Sequence, residues 1–301
     1  MSLTEYPNGV SSFGMPLIGI TTGSVFFVCS VTGSNGNSGQ NSTEPFATID
    51  YAVGKCTADK GDIIFAMPGH AEVCIEADSI NLDVAGISVI GLGNGTNRPT
   101  ITYTTAAAAS FGINAANITV QNIYFDATGV DAVATVIDVD AANASIVDCE
   151  FLLADTDGQA VEAIQSDVNA NNMTVKNCKF LSPTAGAGAA IHIKGASSGN
   201  FIEGNIMDGD FSVAACVQTT AAILNSFFHN NRMRGDNAGE VGFDLGATTV
   251  ASEGIISNNL ISVADTAGWA LAVGGSMHHF ENYITWDGSK SGALKPAVAT
   301  T

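Results

Sequence analysis

The chain is short of charge, and above all of positive charge. Of 301 residues 13% are charged, and 10 Lys and Arg stand against 29 Asp and Glu, for a net charge of −19. A surface of that sign repels phosphate backbones and anionic headgroups, so neither nucleic acid nor a membrane surface is expected as a partner. No run approaches the roughly 18 uncharged apolar residues of a spanning helix. Met1 to Gly19 has neither the basic start nor the continuous apolar stretch of an export signal, so synthesis and folding in a cytoplasm are expected. The six cysteines show no paired short spacings. They read as small buried hydrophobes, neither a disulfide frame nor a zinc site.

Other chemistry is scarce too. The histidines are His70, His192, His229, His278 and His279. Only the last two are close in sequence, and neighbours on a strand point to opposite faces, so no metal site and no cofactor are expected. Aromatic residues make up 7% and include two tryptophans, Trp269 and Trp286, which offer little for a sugar-stacking platform. A Gly-x-Ser-x-Gly nucleophile elbow is missing, and Gly91-Leu92-Gly93-Asn94-Gly95 lacks the following helix that would make it a phosphate cradle.

What is present is a repeat. Val120-Gln121-Asn122, Ile146-Val147-Asp148 and Val175-Lys176-Asn177 each put an Asn or Asp two places after an apolar residue, with Phe125, Phe151 and Phe180 three further on. Later copies centre on Asn205, Asn230, Asn258 and Asn282, and the copies lie roughly 24 to 29 residues apart, in the range of one supersecondary unit. A sharp corner between strands needs a residue that tolerates the left-handed region, as Asn, Asp and Gly do. Asn122, Asp148, Asn177, Asn205, Asn230, Asn258 and Asn282 are therefore read as the corners of successive coils. Flanking pairs such as Ile118 and Val120, or Met173 and Val175, alternate at the period of a half-buried strand. With further strands at 133–139 and 190–193, each repeat holds about three strands.

The fold expected is all-β, a right-handed parallel β-helix with an N-terminal arm and a short capping helix. A leucine-rich repeat has a similar period but needs a Leu-x-x-Leu-x-Leu strand and a following helix, neither of which occurs. Recurrence of one kind of corner argues for stacked equivalent strands over an antiparallel sandwich. The expected division is an arm with the first strand over 1–45, the capping helix over 46–60, the β-helix over 61–286 and a polar tail over 287–301. Terminal units of a parallel stack must cover its open core, and the apolar spacing of Phe46, Ile49, Ala52 and Val53 suits a helix with that task. Stacking would make Cys149 and Cys178 neighbours, read here as two thiols.

Pro45-Phe46-Ala47-Thr48-Ile49, then Gly61-Asp62-Ile63-Ile64 and Pro68-Gly69, followed by Asn-centred coils, resembles the pectate-lyase-like superfamily, and especially phage tailspike-type β-helix virion proteins. Enzymes and structural proteins share this pattern, so the function is weighed separately. The resemblance implies a phage virion structural protein, a homotrimeric cement or decoration protein bound to a major capsid protein. The alternative is a tailspike or fibre, held by a tail adaptor, that binds or depolymerises host polysaccharide. Tyr6, Pro7, Phe13, Met15 and Pro16, in a leader similar to those of phage structural proteins, would form the docking arm.

Enzymatic signatures of the superfamily are thin. Of the polygalacturonase-like set only Gly69-His70 matches, and lyase chemistry needs a basic residue where Arg98, Arg232 and Arg234 are the only arginines. Arg232 and Arg234 read as surface ion-pair partners of the acids near 208–210. If the chain is an enzyme, the carboxyl pair glycoside hydrolysis requires would be Asp138 and Asp140, two apart on a strand and so on one face, roughly 7 Å apart. Asp155 with Asp157 and Asp208 with Asp210 share that spacing on expected loops.

Overall fold

The computed structural model describes residues 11–12, 15–16, 23–155, 158–211, 215–235, 241–245, 252–263, 271–273, 276–286 and 290–293. One coil shows how the sequence builds it. Thr119–Gln121 buries Val120 and turns at Asn122; Tyr124–Asp126 buries Phe125; after a longer loop, Ile137–Val139 buries Ile137 and Val139. The chain then turns again and repeats one layer up, in parallel and in register, Val120 beside Ile146 and Phe125 beside Phe151.

Repetition gives three sheets. The first runs through ten parallel strands from Val25–Val28 to Ser276–Phe280, and the third through eight from Ile80–Leu82 to Leu271–Val273. The second has ten, beginning at Ala71–Cys74, and its last pair alone is antiparallel, Lys290–Ala293 returning along Tyr283–Trp286. The expected right-handed parallel β-helix is the fold observed. Its core is a set of side-chain ladders: Phe125, Phe151 and Phe180 stack with ring centroids 4.9 and 4.7 Å apart and planes within 10°.

The stack is longer than 61–286. Val25–Val28 pairs in parallel with Ile63–Ala66, so the first strand is part of the β-helix, and Lys290–Ala293 extends the second sheet past residue 286. Between them the capping helix occupies Ile49–Val53. Thr48 accepts a hydrogen bond from the Tyr51 amide, Asp50 favours the first turn, and Ile49, Ala52 and Val53 are buried against the first coil. It stops at Gly54, inside the expected 46–60, because only one turn of apolar residues is available to cover the core. Tyr6, Pro7 and Phe13 lie outside the described residues. Met15–Pro16 forms a two-residue strand antiparallel to Ser11–Ser12.

The corner assignment needs one correction. Asn122, Asp148, Asn177, Asn230 and Asn258 take φ between 54° and 56°, as expected. Asn205 and Asn282 do not: the left-handed residue is Gly204 (φ 67°) in one coil and Glu281 (φ 55°) in the other. The repeat is offset there by one place, and the Asn that follows the bend points inward. A second corner, between the third and first sheets, is also asparagine-rich, with Asn117, Asn143 and Asn172 at φ 57° to 63° and their side-chain amides linked at 2.8 and 3.0 Å.

Candidate functional site

The outer face of the third sheet gathers the chain's chemistry. Parallel register stacks one outward position of each coil into a ladder: Asn81, Gly112, Asp138, Gln165, His192, Gln218 and Asp244. Each sits between buried neighbours, as Asp138 does between Ile137 and Val139, so the strand's alternation fixes the direction of its side chain. Flanking loops and strand ends add Asp78, Asp140, Glu162, Asp167 and Lys194.

These groups are joined along the stack. Gln165 Nε2 donates to Asp138 Oδ1 at 3.3 Å, and Lys194 Nζ donates to Gln165 Oε1 at 2.5 Å. Lys194 Nζ also lies 3.0 Å from Glu162 Oε2, an ion-pair distance without hydrogen-bond alignment. Glu162 Oε1 is 2.6 Å from His192 Nδ1, and His192 Nε2 is 3.3 Å from Thr220 Oγ1. Glu162 and His192 are both buried. An ionised Glu162 only accepts, so Nδ1 would carry the imidazole proton in that pairing.

The acid end of the ladder differs. Gly112 leaves a gap that the Asp78 carboxylate fills, its Oδ1 lying against the place a Cβ would take. Asp78 is held by the Ser110 hydroxyl and the Asn114 amide, at 3.4 and 3.3 Å. Burial first, then repulsion from Asp140, Asp167 and Asp78, pushes the Asp138 carboxyl up to about 6, with Lys194 pulling the other way. Burial and the charges of Asp167 and Asp78 raise Asp140 as well.

The expected pair Asp138 and Asp140 is thus brought together, with two further carboxylates the sequence reading did not include. Also missed were Glu162, Gln165, His192 and Lys194. Aligning Ile137-Asp138-Val139 with Ile164-Gln165-Ser166 and Ile191-His192-Ile193 would have shown the ladder. Asp157 lies outside the described residues. Asp208 and Asp210 stand on a strand, Ile206–Phe211, where a loop was expected, and Arg234 meets Asp208 at 3.0 Å as a surface ion pair. His70 is buried in the first coil, its Nδ1 accepting from the Ser30 amide at 3.0 Å and its Nε2 3.1 Å from Glu72. Among the described residues no group of three or more His, Cys, Asp or Glu side chains is arranged to hold a metal ion.

The sequence matches no protein-family model and no curated protein. Among solved structures it is similar to a rhamnogalacturonan lyase, at 15% identity over 80% of this chain and 70% of the other, with a TM-score of 0.57. It is similar as well to the pectate lyase Bsp165PelA from Bacillus sp. N165, solved in complex with trigalacturonate. That match has 15% identity over 98% of this chain and 91% of the other, with a TM-score of 0.52. At that identity the likeness shows the fold alone, a parallel β-helix.

Proposed function

We propose that the chain is a noncatalytic structural component of a phage particle, a homotrimeric cement or decoration protein seated on the major capsid protein. It would be made in the host cytoplasm and act in the virion. One observation carries the noncatalytic part: most of the polar ladder is occupied in holding coil to coil. Gln165, Lys194, Glu162 and His192 are each engaged with a neighbouring layer, which braces a rod along its axis. A group poised for acid–base work must instead reach a reacting proton. The placement on a phage particle rests on the sequence resemblance, in which the helix motif, the first strands and the Asn-centred coils occur together.

A second reading, a tailspike or fibre acting on polysaccharide, is favoured by Asp138, whose proton is held to about pH 6 beside Asp140. The two separate cleanly. Purified phage particles should carry the chain at many copies per head, and the purified chain should release no reducing ends or unsaturated sugars from host polysaccharide. Recovery only with tails, or turnover lost in Asp138→Asn, would replace the first reading with the second.

A further inference from the structure

The two sheets that meet at the main bend change character halfway along the stack. In the first sheet, one outward ladder starts at Val25 and Ile63, is polar through Ser88, Thr119, Ser145 and Thr174, then becomes Phe201, Phe227 and Ile255 and ends at His278. In the second sheet, the ladder through Glu150 and Lys179 becomes Ile206, Arg232, Leu260 and Tyr283. The change falls in the same coil on both sheets. Phe227, Ile206, Leu260 and Tyr283 are 41% to 54% exposed. Among the described residues, the exposed large aromatic side chains, Phe227, Phe280 and Tyr283, all flank this edge.

Two apolar stripes astride one edge form a wedge. If the edge points toward an axis parallel to the stack, the first-sheet stripe of each copy lies against the second-sheet stripe of the next, a head-to-tail contact that closes as a ring. The charges at the edge are complementary in the same sense. Exposed Glu281 lies at the bend on the first-sheet side and exposed Arg232 on the second-sheet side, in a chain with only three arginines, while Arg234 is already paired with Asp208. Adjacent coils are about 4.8 Å apart, so an arginine side chain can reach a carboxylate one layer away. Arg, Tyr and Phe amid aliphatic residues is also the composition of the buried centre of a protein interface.

We infer that this edge of the C-terminal half is the self-association surface, burying the Phe201–Phe227–Ile255 stripe of one copy against the Ile206–Leu260–Tyr283 stripe of a second copy of the same chain. The copy number of three rests on the structural reading proposed above; the surface itself rests on the stripes.

Sedimentation of the full chain tests this, with Leu260→Glu and Phe227→Glu as disrupting variants and Thr119→Glu, on the polar part of the same ladder, as control. Parent and control should run as a trimer, and either disrupting variant should fall to monomer with its circular dichroism unchanged. Cysteine pairing keeps the test open should those variants misfold. Phe227→Cys and Leu260→Cys in one chain should give oxidised oligomers on a denaturing gel, while either change alone should give none, because a head-to-tail contact does not set a residue against itself. A monomeric parent, trimers indifferent to both glutamates, or dimers linked by a single introduced cysteine would overturn the inference. Particle association is scored separately: a ring built on this edge but missing from phage heads would remove the capsid reading and leave the surface standing.

Discussion

At the scale of single residues, asparagine performs two opposed tasks one position apart. Asn230 bends the chain, exposed, at φ 54°. Asn231 is buried and fully paired: its Oδ1 accepts from the backbone and side-chain amides of Asn205, both at 3.0 Å, and its Nδ2 donates to Ile202 O and Asn259 Oδ1, at 2.9 and 3.0 Å. Asn205, Asn259 and Asn282 continue the same ladder. Substitutions should therefore separate the two tasks. Asn230→Gly should change stability by less than about 0.5 kcal/mol, since glycine takes a left-handed φ without cost, while Asn230→Ala should lose about 1 kcal/mol. Asn231→Ala strands two buried donors on Asn205, its backbone and side-chain amides, at about 1–3 kcal/mol each, while Asn259 Oδ1 keeps the backbone amide of residue 231, so a loss of several kcal/mol is expected in urea unfolding. Equal losses at the two positions would contradict the assignment of bend and ladder.

At the scale of the strand and sheet, what could be read in advance was whatever repeats along the sequence with one chemical type. Phe125, Phe151 and Phe180 recur at the same station, and so do the bends at Asn122, Asp148 and Asn177, so the fold and its period were legible. The inward ladder was less so, because its station holds Ile123, Cys149 and Cys178 before switching to Asn205, Asn231, Asn259 and Asn282. A change from apolar to amide at one station hides the equivalence, and it misplaced two corners by one residue. The thiol part of that ladder was legible: Cys149 and Cys178 are free and adjacent, and burial first, then the neighbouring Cys149, raises the Cys178 thiol well above its usual range. The third-sheet face was the hardest to see, since Asp138, Gln165 and His192 share a position but no chemistry. Its electrostatics are open to test. The Asp138 carboxyl, raised by burial and its acidic neighbours, contributes stability that is complete below its unfolded value of 3.8 and lost as pH rises through about 6. Asp138→Asn removes the buried charge, so the variant should gain about 1 kcal/mol over the parent at pH 8, after discounting for solvent screening, and gain nothing at pH 4. Thermal melts at the two pH values decide it, and a difference independent of pH would show that the Asp138 carboxyl is not raised in the folded chain.

At the scale of the molecule, the β-helix is a quasi-one-dimensional object in which each coil touches only the coils above and below. Its stability should then depend on whole coils, not on chain length as such. Deleting Cys149–Asn177 joins Asp148 to Cys178 at the same station of the bend. Ser145–Val147 would pair with Phe201–Glu203 in the first sheet, Tyr124–Asp126 with Lys179–Ala187 in the second, and Ile137–Val139 with Ala189–Ile193 in the third. Phe125 would stack on Phe180 as it now stacks on Phe151. The shortened chain should keep its β circular dichroism per residue and unfold cooperatively, with a denaturant slope reduced by about a tenth in proportion to the surface no longer exposed. Deleting only Ala163–Asn177 removes roughly half a coil, sets the strands of one sheet above those of another, and turns inward residues out. That chain should lose its cooperative transition despite retaining more residues. A half-coil deletion as stable as the full-coil one would mean that register between layers does not hold this molecule together.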